Sequence, residues 1–253
     1  MPVNYDLTAD QVLRILGYNK PSGDTMINQF EREYNIKMPA SLSSFLRIAY
    51  ECPMLSTCDL KVSGSPGFLY EEIKTIIEER REEWNEDPEW CEEDDYYIYS
   101  KIPKEDWYKY TKDYLITGSG YGTGVVTYGI CKDDMDKEDP PLYLLFEDNE
   151  PAGWELCSDT LTDFLMMQIC YVILGIEYDT AEKVLIENGW NYKLYEGDKA
   201  VKRINTMGID MQQAKKQLSW DERELVCGYD YVAKELFIIS NSDNECEICI
   251  INK

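Results

Sequence analysis

Histidine is absent from the 253 residues of this chain. Without it, the Ser-His and Cys-His nucleophile arrangements have no general base. The side chain that most often binds metal ions in proteins is missing as well. The absence therefore excludes most hydrolase mechanisms and the most familiar zinc sites.

Phosphate-binding and metal-binding motifs are also lacking. The glycine run at 118–124 has no lysine at P-loop spacing, and Thr123 occupies the third glycine position of a dinucleotide-binding loop. A strand is predicted after it, so we interpret the run as a glycine-rich β-turn or bulge. The loop after Asp133 has Glu138 and Leu144 where a calcium loop needs Gly and Glu.

The single C-x-x-C motif, Cys246 to Cys249, lies in a β-like run. Side chains alternate between the faces of a strand, so the two sulfurs should point apart, and no second pair lies at zinc-ribbon spacing. Carboxylate pairs could serve glycoside hydrolysis or a magnesium site, but the acids are too numerous to single out any pair. We expect no catalytic residue, no metal and no cofactor.

Long apolar runs and a signal peptide are missing too. No stretch of about 18 apolar residues occurs, and the start of the chain, M-P-V-N-Y-D, has neither a basic nor an apolar region. The nine cysteines are an odd number without a secretion signal, which favours buried, reduced thiols over a disulfide framework. These features predict a globular, cytoplasmic protein.

Basic residues are scarce, 25 against 49 acidic ones, and the formal net charge is −24. Such a chain repels nucleic-acid phosphates and anionic membrane surfaces, so neither is expected as a partner. A basic protein would be attracted by long-range electrostatic steering. The alternative is that the surplus acids serve only solubility. Residues 1–177 carry 35 acids and 15 bases, whereas residues 178–253 carry 14 and 10.

The densest acidic stretch runs from Glu82 to Asp95 and contains two tryptophans. Tryptophan dominates the energetics of many interfaces, and carboxylates around it can pair with Lys or Arg of a partner. The alternative is that both rings pack beneath the loop and the acids are solvated. A second acidic loop follows Cys131. The candidate partner-binding residues are Glu82, Glu83, Trp84, Glu86, Asp87, Trp90, Glu92, Glu93, Asp94, Asp95, Asp133, Asp134 and Asp136.

The segment from Met26 to Tyr50 has the pattern of two amphipathic helices joined at a proline. In the first, Ile27, Phe30 and Tyr34 lie on one face. The second is predicted to begin at Pro39, and its apolar residues recur at helical spacing: Leu42, Phe45, Leu46, Ala49 and Tyr50.

This order of helix, short link, apolar residue plus proline, and second helix with a Phe-Leu pair resembles the opening of the SUKH superfamily. Its members are mostly bacterial immunity proteins that neutralise polymorphic toxins, with fungal cell-wall regulators and some viral proteins as relatives. The resemblance implies an α+β fold in which an antiparallel meander follows the helix pair and a further helix closes across it. It also implies a cognate toxin as the partner.

The remaining patterns agree with that order. Strands are predicted at 114–117, 125–130 and 142–146, followed by a helix over 158–174 with Ser158 or Thr160 as N-cap. Thr8 and Gln11 predict a capping box for a helix that ends at Gly17. Beyond Gly175, helices are predicted at 180–188 and 198–207, and a hairpin from 236–240 and 246–251.

We therefore expect a SUKH-like α+β domain at residues 1–177 and a C-terminal α/β extension at 178–253 that packs on it. The expected function is non-catalytic binding and neutralisation of a basic toxin, for example a nuclease. Two alternatives are an intracellular scaffold or regulator of the same fold and an acidic hydrolase that works through carboxylates. A low-complexity tail, which would favour the scaffold, is not present.

Overall fold

The computed structural model describes residues 3–55, 67–68, 114–121, 125–146, 154–176, 180–212, 214–218, 223–242 and 245–253. The described strands are β1 (Val3–Asn4), β2 (Gly67–Phe68), β3 (Tyr114–Tyr121), β4 (Val125–Cys131), β5 (Leu142–Phe146), β6 (Trp154–Ser158), β7 (Asn191–Glu196), β8 (Gln217–Leu218), β9 (Glu224–Asp230), β10 (Glu235–Asn241) and β11 (Cys246–Asn252). The described helices are α1 (Ala9–Ile15), α2 (Asp24–Tyr34), α3 (Ala40–Ala49), α4 (Leu161–Leu174), α5 (Thr180–Glu187) and α6 (Gly197–Met207).

The chain forms two compact units, and neither is continuous in sequence. Unit 1 comprises Met1–Asp24, Ser44–Cys58 and Thr162–Lys253, and unit 2 comprises Thr25–Ser43 and Asp59–Leu161. Both sheets are antiparallel, so the protein has the expected α+β class. The boundaries of the units do not fall at the predicted boundary between residues 177 and 178. That division stays a prediction about which part resembles the SUKH superfamily.

Unit 1 is built on a sheet with the order β1-β9-β10-β11-β7, and β8 also pairs with β9. Its central strand β10 reads L-F-I-I over 236–239, and these side chains are buried on both faces. One face carries Phe237, Ile239, Ile248 and Ile250, which pack with Ala200 and Ile204 of α6. Covering helices on both faces explain the continuous apolar run in β10, because a half-exposed strand would alternate with polar residues.

The opposite face of this sheet lies against α4. The Tyr192 hydroxyl on β7 donates a hydrogen bond of 2.8 Å to the Ile173 carbonyl, and the Cys227 thiol on β9 is hydrogen-bonded to Cys170. Residues 164–174 of α4 are all buried, including Gln168. A helix that is apolar nearly all round belongs in a core and does not cover a surface.

Unit 2 contains α2 and a second sheet with the order β2-β3-β4-β5-β6, in which each described strand pairs with the next. Met26, Ile27 and Phe30 of α2 are buried, as the helical spacing predicted. The glycine run extends β3 as far as Tyr121, with a register shift between Ile116 and Gly118. Strand β3 thus extends beyond its predicted end at residue 117, and the β-turn or bulge predicted for 118–124 stays a prediction, because residues 122–124 lie outside the described residues.

Most of the local predictions are confirmed. Gln11 accepts a hydrogen bond of 3.0 Å from the Thr8 amide at the start of α1, and Gly189 and Gly208 adopt positive φ after α5 and α6. The predicted hairpin is formed by β10 and β11. The helix predicted over 158–174 begins at Leu161, directly after Thr160, one of the two predicted N-cap residues. The other, Ser158, instead ends β6, a strand we had not predicted.

Within the described ranges, no helix combines the length and apolar character that crossing a membrane requires.

Candidate functional site

The predicted acidic loop between β4 and β5 is a rigid turn. Its first residues form a 3₁₀ turn, Lys132–Asp134. The amide of Ser41 at the start of α3 donates to the Glu138 carbonyl at 3.0 Å, and the Leu161 amide donates to the Pro140 carbonyl at 2.8 Å. Both of these backbone contacts lie in the second half of the turn, and they hold that half against the start of α3 and the start of α4.

The three aspartates of this turn that we predicted to bind a partner have different environments. Asp133 and Asp136 are exposed. Asp134 is partly buried, its Oδ1 lies 2.6 Å from the Lys137 Nζ, and its Oδ2 accepts a hydrogen bond of 3.4 Å from the Tyr143 hydroxyl. Burial and the Asp134 carboxylate raise the pKa of Tyr143, which keeps this hydroxyl a donor. Asp134 therefore shapes the turn, and Asp133 and Asp136 offer charge to a partner.

The other predicted partner-binding residues lie outside the described residues. They are Glu82, Glu83, Trp84, Glu86, Asp87, Trp90, Glu92, Glu93, Asp94 and Asp95. Their assignment stays a prediction from the sequence.

A concave site that the sequence did not suggest lies in unit 1 beside β7. This feature, here called the β7 groove, has a volume of about 600 Å³, within the range of ligand-binding pockets. The uncharged residues of its lining, here called the floor, are residues 173–176 at the end of α4, Tyr192 and Leu194. Tyr192 and Leu194 reach it because alternate residues of β7 share one face of the sheet.

The rim of the β7 groove is acidic. Glu182, Glu196, Glu245 and Glu247 line it, and Arg223 is the basic residue among its lining side chains. The Arg223 guanidinium lies 3.8 Å from one carboxylate oxygen of Glu245 and 3.8 Å from one of Glu247. One guanidinium therefore faces four carboxylates, and the rim keeps a surplus of negative charge.

Glu247 lies in surroundings that disfavour its ionised carboxylate. It is the direct cross-strand neighbour of Glu196, and like charges in such positions repel. Burial raises the pKa of Glu247, the nearby Glu196 and Glu245 raise it further, and Arg223 only partly opposes them. The ionised carboxylate is thus less stable in the folded protein than in the unfolded chain.

Replacing Glu247 by Gln should raise the melting temperature near neutral pH. A carboxyl group whose pKa is higher in the folded protein lowers stability when ionised, and this cost disappears below the pKa of the unfolded chain, 4.5 for Glu. The advantage of Glu247→Gln should therefore be full at pH 7 and vanish toward pH 4. Thermal melts of the two proteins across this range test it. A stability gain that is independent of pH would contradict the electrostatic explanation.

Three of the described thiols have pKa values that make them poor nucleophiles. Burial raises the pKa of Cys157 and Cys249 to about 12 and that of Cys52 to about 11. A thiol needs a lowered pKa to attack or to bind metal at neutral pH, so these cysteines act as small apolar side chains. In β11, Ile248 and Cys246 pack on the α6 side, and Cys249 lies on the opposite face toward Tyr192. The predicted divergence of this C-x-x-C pair is confirmed.

Among the described residues, no three His, Cys, Asp or Glu side chains are grouped closely enough to hold a metal ion. Comparisons with models of protein families, with curated proteins and with solved structures find no match to the chain. The resemblance to the SUKH superfamily therefore rests on the sequence pattern alone. The expectation of a protein without metal or cofactor stays a prediction.

Proposed function

We propose that this chain is a non-catalytic immunity protein that binds a basic toxin in the cytoplasm and blocks it. The observation that carries the proposal is the charge: the net charge is −24, and residues 1–177 hold 35 acids against 15 bases. Charge of one sign at this density steers a partner of opposite sign into contact and repels nucleic acid, which a nuclease toxin would bind.

The geometry of the described acidic turn supports a binding role. Its second half is held by backbone hydrogen bonds to Glu138 and Pro140, and Asp133 and Asp136 are exposed on it. A preorganised charge loses little conformational entropy when a partner binds. The toxin's active site need not be filled, because an acidic surface beside it would exclude an anionic substrate. The order of strands in unit 2 is that of a meander, as in the proposed SUKH-like fold.

The absence of histidine and the raised pKa values of the Cys157 and Cys249 thiols support a mechanism without catalysis. Binding alone is sufficient for neutralisation. The C-terminal extension at 178–253 is proposed as an addition to the family fold and contributes the strands β7 to β11 to unit 1.

Co-expression with the toxin encoded by the neighbouring gene tests the proposal. Cells that express both proteins should survive, and the purified pair should associate more slowly as salt rises, because charges are screened beyond about 8 Å at physiological ionic strength. If the unmodified protein binds none of the neighbouring gene products, the assignment as an immunity protein is wrong.

Kinetics separate the roles of the predicted contact residues. Changing Glu86, Asp87, Glu92, Glu93, Asp94 and Asp95 to amides should mainly lower the association rate, and this difference should shrink at high salt. Trp84→Ala or Trp90→Ala should mainly raise the dissociation rate, by the ~2 kcal/mol or more of an interface hot spot. Unchanged rates in all these variants would remove the 82–95 stretch from the interface and leave the immunity function standing.

A further inference from the structure

The β7 groove combines three properties that together select one kind of occupant. It is concave, its floor is uncharged, and its rim has three more negative than positive charges. Lys and Arg side chains match this combination, because each has an apolar stem that ends in a positively charged head. Arg223 shows that a guanidinium fits near Glu245 and Glu247, at 3.8 Å from each.

The end of α4 adds to this preference. The helix ends at Leu174, and Gly175, with φ of 70°, follows it on the floor of the groove. The last carbonyl groups of a helix carry a partial negative charge, which favours a cation nearby. The Tyr192 hydroxyl already donates to one of these carbonyls, that of Ile173, at 2.8 Å. The groove therefore repels anions from its floor as well as from its rim.

Strand β7 offers a backbone beside the groove. It is the last strand of its sheet, and among the described strands only β11 pairs with it. Four of its six residues are exposed, and Leu194, a floor residue, is 39% accessible. An open strand edge can pair with an extended segment of another chain, whose alternate side chains then enter neighbouring pockets.

We propose that an extended basic segment of the partner protein pairs with the open edge of β7 and places a Lys or Arg side chain in the β7 groove. The stem of that side chain packs on Leu194 and the end of α4, and its head meets Glu196, Glu245 and Glu247. The identity of the partner as a toxin rests on the proposed function, whereas the chemistry of the groove does not. A second copy of this chain is a poor occupant, because each copy would bring the same surplus of glutamates.

A short peptide tests the groove without the toxin. The probe is a capped heptapeptide in which arginine alternates with threonine, and its control has citrulline in place of arginine. Titrated into the full-length, nitrogen-15-labelled protein, the arginine peptide should shift the amide signals of residues 191–196, Glu245 and Glu247. The citrulline peptide should bind at least tenfold more weakly, because it keeps the shape and loses the charge.

Two variants test the assignment from the protein side. Glu245→Gln with Glu247→Gln should weaken the arginine peptide about tenfold or more, as expected when charge-assisted hydrogen bonds are lost. The matched control, Glu51→Gln with Glu187→Gln, removes two exposed acids elsewhere in unit 1 and should change the affinity less than twofold. Leu194→Lys should also weaken binding, because it places a cation on the floor while all four glutamates remain.

Several results would overturn the proposal. The first is equal affinity for the arginine and citrulline peptides. The second is an equal loss of peptide affinity in the double variant and in its control. The third is that only amide signals of residues outside β7 and the groove shift. A dimer that forms through β7 under the same conditions, detected by sedimentation, would also overturn it. If the toxin binds the Glu245→Gln, Glu247→Gln protein as tightly as the unmodified one, the groove is not its contact, although the proposed function survives. If the peptide binds the groove but no toxin partner is found, the proposed function is contradicted and the proposal for the groove is not.

Discussion

Truncation after Gly175 should abolish cooperative folding of unit 1 and leave a largely insoluble protein. It removes β7 to β11, against which α4 packs, and therefore exposes a helix whose residues 164–174 are all buried. Each buried Leu, Ile, Val, Phe or Met side chain of that helix contributes about 1.5–3 kcal/mol through burial. The loss is then comparable to the whole 5–15 kcal/mol that stabilises a typical domain.

Solubility after expression, circular dichroism and thermal melting of the truncated chain measure this effect. The matched control lacks only Lys253, an exposed residue whose Nζ lies 4.5 Å from the centre of the Trp190 ring. It should be soluble and melt within a few degrees of the full-length protein. A soluble truncated chain with an unchanged melting transition would show that residues 176–253 fold independently of the remainder.

Replacing Phe237 by Ala should cost about 3–5 kcal/mol of unfolding free energy, in the upper range for a single substitution. Phe237 is completely buried in the centre of β10 and packs on the α6 side of the sheet. The Tyr5 ring contacts it edge-on, with centroids 6.0 Å apart, and a Cβ added at Gly228 would lie 2.3 Å from its Cζ. The ring thus fills the space that a side chain at position 228 would need.

Urea unfolding of Phe237→Ala, compared with Val232→Ala, measures this cost. Val232 lies in the turn between β9 and β10 and is 78% exposed, so its truncation should change stability by less than about 0.5 kcal/mol. Equal effects of the two substitutions would mean that Phe237 does not organise the core of unit 1.

The features that the sequence predicted well are local. The face of α2, the glycines that end α5 and α6, and the β10–β11 hairpin each depend on residues within a few positions of one another. Strand β7 was missed because its sequence, N-Y-K-L-Y-E, alternates without a clear apolar face. Strand β6 was missed because Ser158 resembles a helix N-cap, although its hydroxyl donates to the Thr160 carbonyl at 2.8 Å.

The two candidate sites also differ in how well the sequence predicts them, because one is local in sequence and the other is not. The acidic turn could be located because its aspartates are consecutive or nearly so in sequence. The glutamates of the β7 groove come from α5, β7 and the start of β11, in a segment whose 14 acids and 10 bases give a much smaller surplus of acids than residues 1–177 have. Only strand pairing brings Glu196 opposite Glu247. A charge plot along the chain cannot reveal a cluster that is created by tertiary structure.

The pairing of β1 with β9 has a consequence for the biosynthesis of the protein. Val3 lies opposite Asp230, so an element at the beginning of the chain finds its partner only after most of the remaining residues have been translated. At about 5–20 residues per second, the interval is roughly ten seconds or longer. During that interval the apolar face of α1, with Val12 and Leu13, has no completed core to enter. Unit 1 therefore completes its core only after β11 has been synthesised, and until then its nascent chain exposes apolar side chains that are buried in the finished fold.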